Sequence, residues 1–135
     1  MKLTIDRSKW RCGGDKECGS NNQRGKGDTS LRNEEGYMCC LGFYSLACGY
    51  SEEDITYDKE PCDVVHHDEE EPKNHYPDWL VLPSDGDDYY YNTLSADVLM
   101  GTNDNDHLNE KQREEKVTEQ FAEHDVEVEF IGEYE

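Results

Sequence analysis

Glutamate side chains recur at regular intervals in the last quarter of the sequence. Glu115, Glu119 and Glu123 are four residues apart, a spacing that places them on one face of a helix. Neighbours at this spacing lie about 5–6 Å apart and repel one another. Glu127 and Glu129 alternate with apolar residues, which predicts a second row, about 6.8 Å apart, on one side of a strand. Such rows are comparable to backbone phosphates and predict docking on a basic groove.

The charge of the chain is strongly negative and unevenly placed. The formal net charge is −20, from 33 acidic and 13 basic residues. Residues 1–33 hold eight Lys/Arg and four Asp/Glu, whereas the rest hold five and 29. A surface this negative repels nucleic acid and anionic lipid and attracts basic proteins or cations. The acidic run Asp68, Glu69, Glu70 and Glu71 is interpreted as an auxiliary contact arm. Plain solubility is the alternative for an acidic surface.

Cysteines offer two further kinds of chemistry; they are Cys12, Cys18, Cys39, Cys40, Cys48 and Cys62. Zinc sites usually use paired ligands at short spacings, and here only Cys12 and Cys18 approach such a pair. Cys62 with His66 or His67 could complete a structural zinc site. The favoured interpretation is that Cys40 and Cys48 belong to the core and that the loop cysteines are free thiols.

A cysteine enzyme is the other alternative. Cys39 or Cys40 would open a helix, whose dipole lowers the pKa of a thiol, but no histidine carries a recognisable flanking motif. The basic residues Arg24, Lys26 and Arg32 lie near glycines and could hold a phosphate, so a sponge for a nucleotide signal is also considered. No P-loop or dinucleotide fingerprint is present.

Oxygen ligands cluster in the stretch Asn103-Asp104-Asn105-Asp106, which could suit Ca²⁺ or Mg²⁺. The stretch lacks the glycine and the distal glutamate at EF-hand spacing. Asn and Asp also cap helices and form turns, and this is the favoured interpretation. No cofactor is predicted.

Several elements must position these groups. Leu3 and Ile5 predict an N-terminal strand, and residues 12–29 predict a long, mobile, basic loop. The most apolar stretch, residues 37–50, predicts a buried helix that starts near Cys39 or Cys40 and ends at Gly49. Residues 51–78 are acidic and are expected to be irregular.

The second half of the chain predicts more regular structure. Residues 79–83 and 89–91 read as a hairpin, and Ser95 as the cap of a short helix through Met100. Asn109, with Gln112 as capping-box partner, predicts a helix over residues 110–124. Alternation over residues 126–130 predicts a strand. The whole is predicted to be one α+β domain over residues 1–135. Its short sheet holds both terminal strands and packs on the Cys-Cys-Leu-Gly helix and a C-terminal amphipathic helix.

Three short motifs resemble a group of uncharacterised bacteriophage and prophage accessory proteins. They are the basic-aromatic start Lys9-Trp10-Arg11, the helix opening Cys39-Cys40-Leu41-Gly42, and Leu99 followed by Asn103-Asp104. The resemblance covers about half of the chain and leaves out the acidic middle. It implies an early, host-directed phage protein and implies no enzymatic activity.

These observations predict a non-enzymatic binding protein that mimics the charge of nucleic acid. Its expected partner is a basic host protein that binds nucleic acid, such as a defence nuclease or a CRISPR effector. Direct binding to nucleic acid or to membranes is not expected. Because the start of the sequence lacks an apolar signal region, the expected location is the host bacterial cytoplasm.

Overall fold

Strands from the two ends of the sequence pair with each other in the computed structural model, which describes residues 1–12, 30–58, 60–66, 72–84, 89–105 and 107–134. The elements are β1 (Lys2–Asp6), α1 (Cys40–Ala47), α2 (Glu52–Ile55), α3 (Pro61–Val65), β2 (Val81–Pro83), β3 (Tyr90–Asn92), α4 (Leu94–Asn103), α5 (Glu110–Ala122) and β4 (Glu127–Ile131). The predicted α+β fold is confirmed.

The β1–β4 pair is parallel, with Leu3 opposite Val128 and Ile5 opposite Phe130. A tight hairpin cannot join parallel strands, so the rest of the chain forms the crossover between them. Leu3 and Ile5 are buried, and Val128 and Phe130 are half-buried against the same core. α1 packs against β1, and α5 packs against β4, as the sequence predicts.

The Cys-Cys-Leu-Gly motif opens α1, which is buried at Cys40, Leu41 and Gly42. Gly42 is required by a close approach of the backbone. A Cβ atom built at this position would lie 1.9 Å from the carbonyl oxygen of Leu31. Any side chain here would force α1 away from the segment that precedes it.

A buried polar cluster joins the three sequence motifs; the Asn103 cluster, as we call it, consists of Trp10, Arg11, Cys40, Asn103 and Asp104. The Oδ1 atom of Asn103 accepts hydrogen bonds from Trp10 Nε1 at 2.6 Å and from the Cys40 backbone N–H at 2.9 Å. Its Nδ2 atom donates to the Arg11 carbonyl and to Asp104 Oδ1, both at 2.9 Å. One carboxamide therefore ties the end of α4 to the start of α1 and to the segment after β1. It is a structural residue and not a metal ligand.

The acidic segment over residues 51–78 is more ordered than the sequence predicts. Ser51 and Asp54 form a reciprocal capping box that starts α2, and Pro61 occupies the first turn of α3. Ile55, Val65 and Tyr76 are buried in the core. The expectation of an irregular segment is therefore corrected for its described part, because local caps and a few apolar side chains outweigh the repulsion between charges. In the predicted basic loop over residues 12–29, Cys12 is buried and residues 13–29 lie outside the described residues.

The predicted hairpin is present as β2 and β3, which pair antiparallel. The helix after it starts earlier and ends later than predicted. Thr93, and not Ser95, is the N-cap, and its hydroxyl accepts from the Ala96 N–H at 3.2 Å. The helix continues past Gly101 to Asn103, because the buried contacts of Asn103 extend it.

α5 begins at the predicted capping box, in which Asn109 and Gln112 bond to each other's backbone N–H. Arg113, Val117 and Phe121 form its buried stripe. The buried Arg113 guanidinium donates through its NH2 group to the carbonyls of Asn105 and Leu108, so it closes the turn between α4 and α5. Within the described residues, none of the helices has the length and apolar composition needed to cross a membrane.

Candidate partner-binding surface

The glutamate row, defined as Glu115, Glu119 and Glu123, lies along the outward side of α5 and its C-cap. All three residues are exposed. Each follows a buried residue of the stripe by two positions, a rotation of about 200° around the helix axis. The row therefore faces away from the core. Within the described part of the chain, these three carboxylates make no hydrogen bond and no ion pair.

The strand glutamates form a separate row on β4. Glu127 and Glu129 are exposed, whereas Val128 and Phe130 point into the core that also receives α5. Lys2 Nζ lies 2.8 Å from a carboxylate oxygen of Glu129. The hydrogen bond from Lys2 to Glu129 is the main reason that the pKa of Lys2 is raised, with a smaller contribution from the charge of Glu127. One predicted contact residue is thus already paired within the chain.

The predicted auxiliary arm, from Asp68 to Glu71, lies outside the described residues. The described part of the candidate surface therefore consists of the glutamate row and the strand glutamates.

A further glutamate of α5, Glu114, is hydrogen-bonded to other residues of the chain. Its two carboxylate oxygens accept from Arg7 Nε at 3.1 Å and from Arg7 NH2 at 2.7 Å. The hydroxyl of Tyr134 donates to the same carboxylate at 2.7 Å. The bond to Glu114 is the largest cause of the raised pKa of Arg7, whereas burial, followed by Glu114, raises the pKa of Tyr134. No sequence pattern links these positions, because Arg7 and Glu114 are 107 residues apart.

This cluster borders an open cleft of about 530 Å³ at the start of α5, which Glu110 and Lys111 also line. Lys111 brings a positive charge close to Glu115, the first member of the glutamate row. By helical spacing Lys116 likewise lies near Glu119, so the negative charge of the row is least compensated at Glu123.

The structure disfavours the alternative in which a helix dipole activates Cys39 or Cys40. Both residues are buried, and burial raises the pKa of the Cys39 thiol to about 12. Burial also raises the pKa of Cys40, whose thiol lies 3.9 Å from the Leu99 carbonyl oxygen. The loss of hydration outweighs the dipole, so both thiols stay protonated at neutral pH.

The suggested zinc ligands are not assembled in the described part of the chain. Cys18 and His67 lie outside it, and Cys12 is buried. His66 accepts a 2.9 Å hydrogen bond from the Tyr90 N–H through Nε2. Among the described residues, one group brings three such ligand atoms within 4.8 Å of one another: Glu60, Cys62 and Asp63. Burial and the neighbouring carboxylates raise the pKa of Cys62 to about 11, which keeps its thiol protonated.

Comparison of the chain with protein-family models, with curated proteins and with solved structures finds no match.

Proposed function

We propose that this chain is a non-enzymatic, phage-encoded binding protein that occupies the positively charged nucleic-acid groove of a host protein. The phage origin follows from the resemblance of the three motifs, and the mode of action follows from the charge. One observation carries the proposal: the glutamate row is exposed and evenly spaced, and its carboxylates make no hydrogen bond or ion pair with the described residues. Carboxylates held in this way are available to a basic partner.

The spacing of the row suits charge mimicry. Four residues of helix advance by about 6 Å along the axis. Successive phosphates along one DNA strand advance by about 3.4 Å. The row thus carries on the order of half the linear charge density of a DNA strand, on a rigid support. A basic groove that binds phosphates through Lys and Arg can pair with such carboxylates by the same charge-assisted hydrogen bonds.

The strand glutamates would extend this contact. The Lys2–Glu129 pair is exposed on both sides, with side-chain exposures of 57% and 49%. Exposed ion pairs are weak because water competes for both charges. A partner's guanidinium can therefore replace Lys2 at Glu129 without disturbing the core.

Each of the two alternatives would use other residues. A nucleotide-signal sponge would use the basic loop, of which residues 13–29 lie outside the described residues. A cysteine enzyme would need a thiolate, whereas burial keeps Cys39 and Cys40 protonated.

The test compares two variants that each lose three negative charges. In the row variant, glutamine replaces Glu115, Glu119 and Glu123. In the control variant, the exposed residues Glu53 and Glu133 become glutamine and Asp78 becomes asparagine. Proteins that the immobilised chain captures from a bacterial lysate, and that duplex DNA displaces, are purified and titrated against each variant by calorimetry at low and high salt.

We expect the row variant to bind roughly tenfold or more weakly at low salt and with a flatter salt dependence. The control variant should change affinity by about twofold or less, because its charges lie elsewhere. If the two variants lose affinity equally, the interaction depends on the net charge of the chain and not on the position of the row. A partner that holds DNA and the chain at the same time would rule out occupation of its groove.

A further inference from the structure

A groove of about 200 Å³ runs between α4 and the end of α5. Leu94, Val98 and Leu99 line it on the α4 side, and Gln120, Glu123 and His124 line it on the other. Leu99 is buried and belongs to the core, whereas Leu94 is 78% exposed and Val98 is 44% exposed. The apolar wall of the groove, formed by Leu94 and Val98, is therefore open to solvent.

This exposed apolar wall lies on a chain that is otherwise very polar. The mean hydropathy is −1.08, and apolar residues make up only 33% of the sequence. Single exposed apolar side chains need no explanation. Leu94 and Val98 are instead one helical turn apart and border the same groove, so they form a small continuous apolar surface. The folded chain gains nothing from leaving it uncovered.

The opposite side of the groove is polar and carries one carboxylate. Glu123 lines it and is also the last member of the glutamate row, so the groove is continuous with the candidate partner-binding surface. Among the described residues that line the groove, none is Lys or Arg. Ligand pockets for small molecules usually measure about 300–1,000 Å³, so this groove is sized for one side chain.

We propose that the groove receives a long basic side chain, Lys or Arg, from the protein partner. The inference rests on the proposed function and specifies how its contact is anchored. Both side chains combine an aliphatic stem with a cationic head, and they bury the stem along apolar surface while the charge stays at the edge. The stem lies against Leu94 and Val98, and the head donates to the carboxylate of Glu123.

This arrangement adds a component that salt does not screen. The glutamate row attracts the partner through charge, and that attraction weakens as ionic strength rises. Contact between the aliphatic stem and the α4 wall depends on apolar area and persists at high salt. The groove therefore gives the partner a fixed position along the row.

The molecule carries its own reporter for this site. The Trp79 ring stacks on the His124 ring, with centroids 4.1 Å apart and the planes 4° from parallel. His124 lines the groove, so a side chain that enters it changes the environment of the stack. The other tryptophan, Trp10, is fully buried in the Asn103 cluster, away from this stack.

The test uses two synthetic alanine-based peptides that differ at one position, lysine in one and norleucine in the other. Each is titrated into the full chain while Trp79 fluorescence and the methyl NMR signals of Leu94 and Val98 are followed. We expect the lysine peptide to bind about tenfold more tightly than the norleucine peptide, because only the ammonium group pairs with Glu123. Equal binding of the two peptides would overturn the proposal.

Three variants locate the site. Leu94→Ser combined with Val98→Thr should weaken the lysine peptide about tenfold at high salt, and Glu123→Gln should abolish its advantage over norleucine. Ile131→Thr is the matched control, since Ile131 is 43% exposed but lies on β4, and it should leave binding unchanged. Unchanged binding by the wall variant, with its melting temperature preserved, would also overturn the proposal.

The outcome is separable from that of the proposed function. Replacing only Glu115 and Glu119 by glutamine tests the row without touching the groove. If this variant loses partner binding while the unchanged chain shows no preference for the lysine peptide, charge mimicry is supported and the groove proposal is wrong. If the unchanged chain prefers the lysine peptide while the variant binds the partner normally, the groove proposal is supported and charge mimicry by the row is wrong.

Discussion

Asn103 and Glu119 lie on neighbouring helices, yet they use their polar atoms in opposite ways. The Asn103 carboxamide is fully buried and makes four hydrogen bonds within the chain. The Glu119 carboxylate is exposed and, among the described residues, makes none. A polar group whose bonding capacity is filled inside the protein serves the fold. A charge without internal partners is available to solvent or to another molecule.

The comparison also separates the recognisable motifs from the candidate site. Trp10, Cys40 and Asn103 come from three different motifs and meet in one buried cluster. Those motifs therefore specify an architecture. The glutamate row belongs to none of them, so the motifs account for the fold and the candidate site has to be argued from its own residues.

The largest expected effect is at Asn103. Asn103→Ala leaves the Trp10 Nε1–H and the Cys40 N–H without their acceptor inside the core. Each unsatisfied buried group costs about 1–3 kcal/mol. We expect the free energy of unfolding in urea to fall by about 4 kcal/mol. Glu119→Ala, on the exposed side of the next helix, should change it by less than about 0.5 kcal/mol. Similar losses of unfolding free energy in the two variants would contradict the distinction between a polar group that supports the fold and one that is free to bind a partner.

A second prediction concerns alkaline pH. Burial raises the pKa of the Cys39 thiol from 9.0 to about 12, so the unfolded chain releases this proton at lower pH than the folded chain does. The stability that this difference supplies is complete below pH 9 and is lost as pH rises toward 12. Between pH 9 and 10 we expect a loss of roughly 1 kcal/mol from Cys39, with a further loss from Cys40. Urea unfolding measured across this range checks it.

Cys39→Ser supplies the control for the alkaline prediction, because it removes the titrating thiol and keeps a side chain of similar size. Its unfolding free energy should fall less steeply between pH 9 and 10 than that of the unchanged protein. The difference in slope should persist from pH 10 to about pH 12, where the Cys39 thiol of the folded protein also ionises. Both proteins should lose further stability above pH 10, since burial also raises the pKa of Tyr76. Identical slopes below pH 10 would mean that Cys39 is hydrated in the folded state.

Local signals in the sequence were sufficient for part of this structure. The Asn109 capping box, the start of α1 and the alternation in β4 involve residues within a few positions of one another, and all three predictions are confirmed. The glutamate row also follows from local periodicity, because four-residue spacing fixes a helix face.

Contacts between distant residues could not be predicted in the same way. Trp10 and Asn103 are 93 residues apart, and no composition or period marks asparagine as a core residue. The pairing of Lys2 with Glu129 depends on the register of two terminal strands, which the sequence leaves open. The groove likewise requires the relative position of α4 and α5. Its apolar residues resemble ordinary core positions until their exposure is known.

The smallest expected effect tests whether the glutamate row opposes folding. Glu123 is the C-cap of α5, whose last turn holds no basic residue, so its charge meets the negative end of the helix dipole as well as Glu119. Glu123→Gln should therefore stabilise the protein by about 0.5 kcal/mol at low salt, and the gain should shrink as salt is added.

Glu115→Gln is the control: it removes repulsion from Glu119 but also attraction to Lys111, so its effect on the free energy of unfolding should be near zero. A loss of stability in Glu123→Gln would mean that this carboxylate supports the fold. The row would then, like Asn103, serve the structure of the chain and not the binding of a partner.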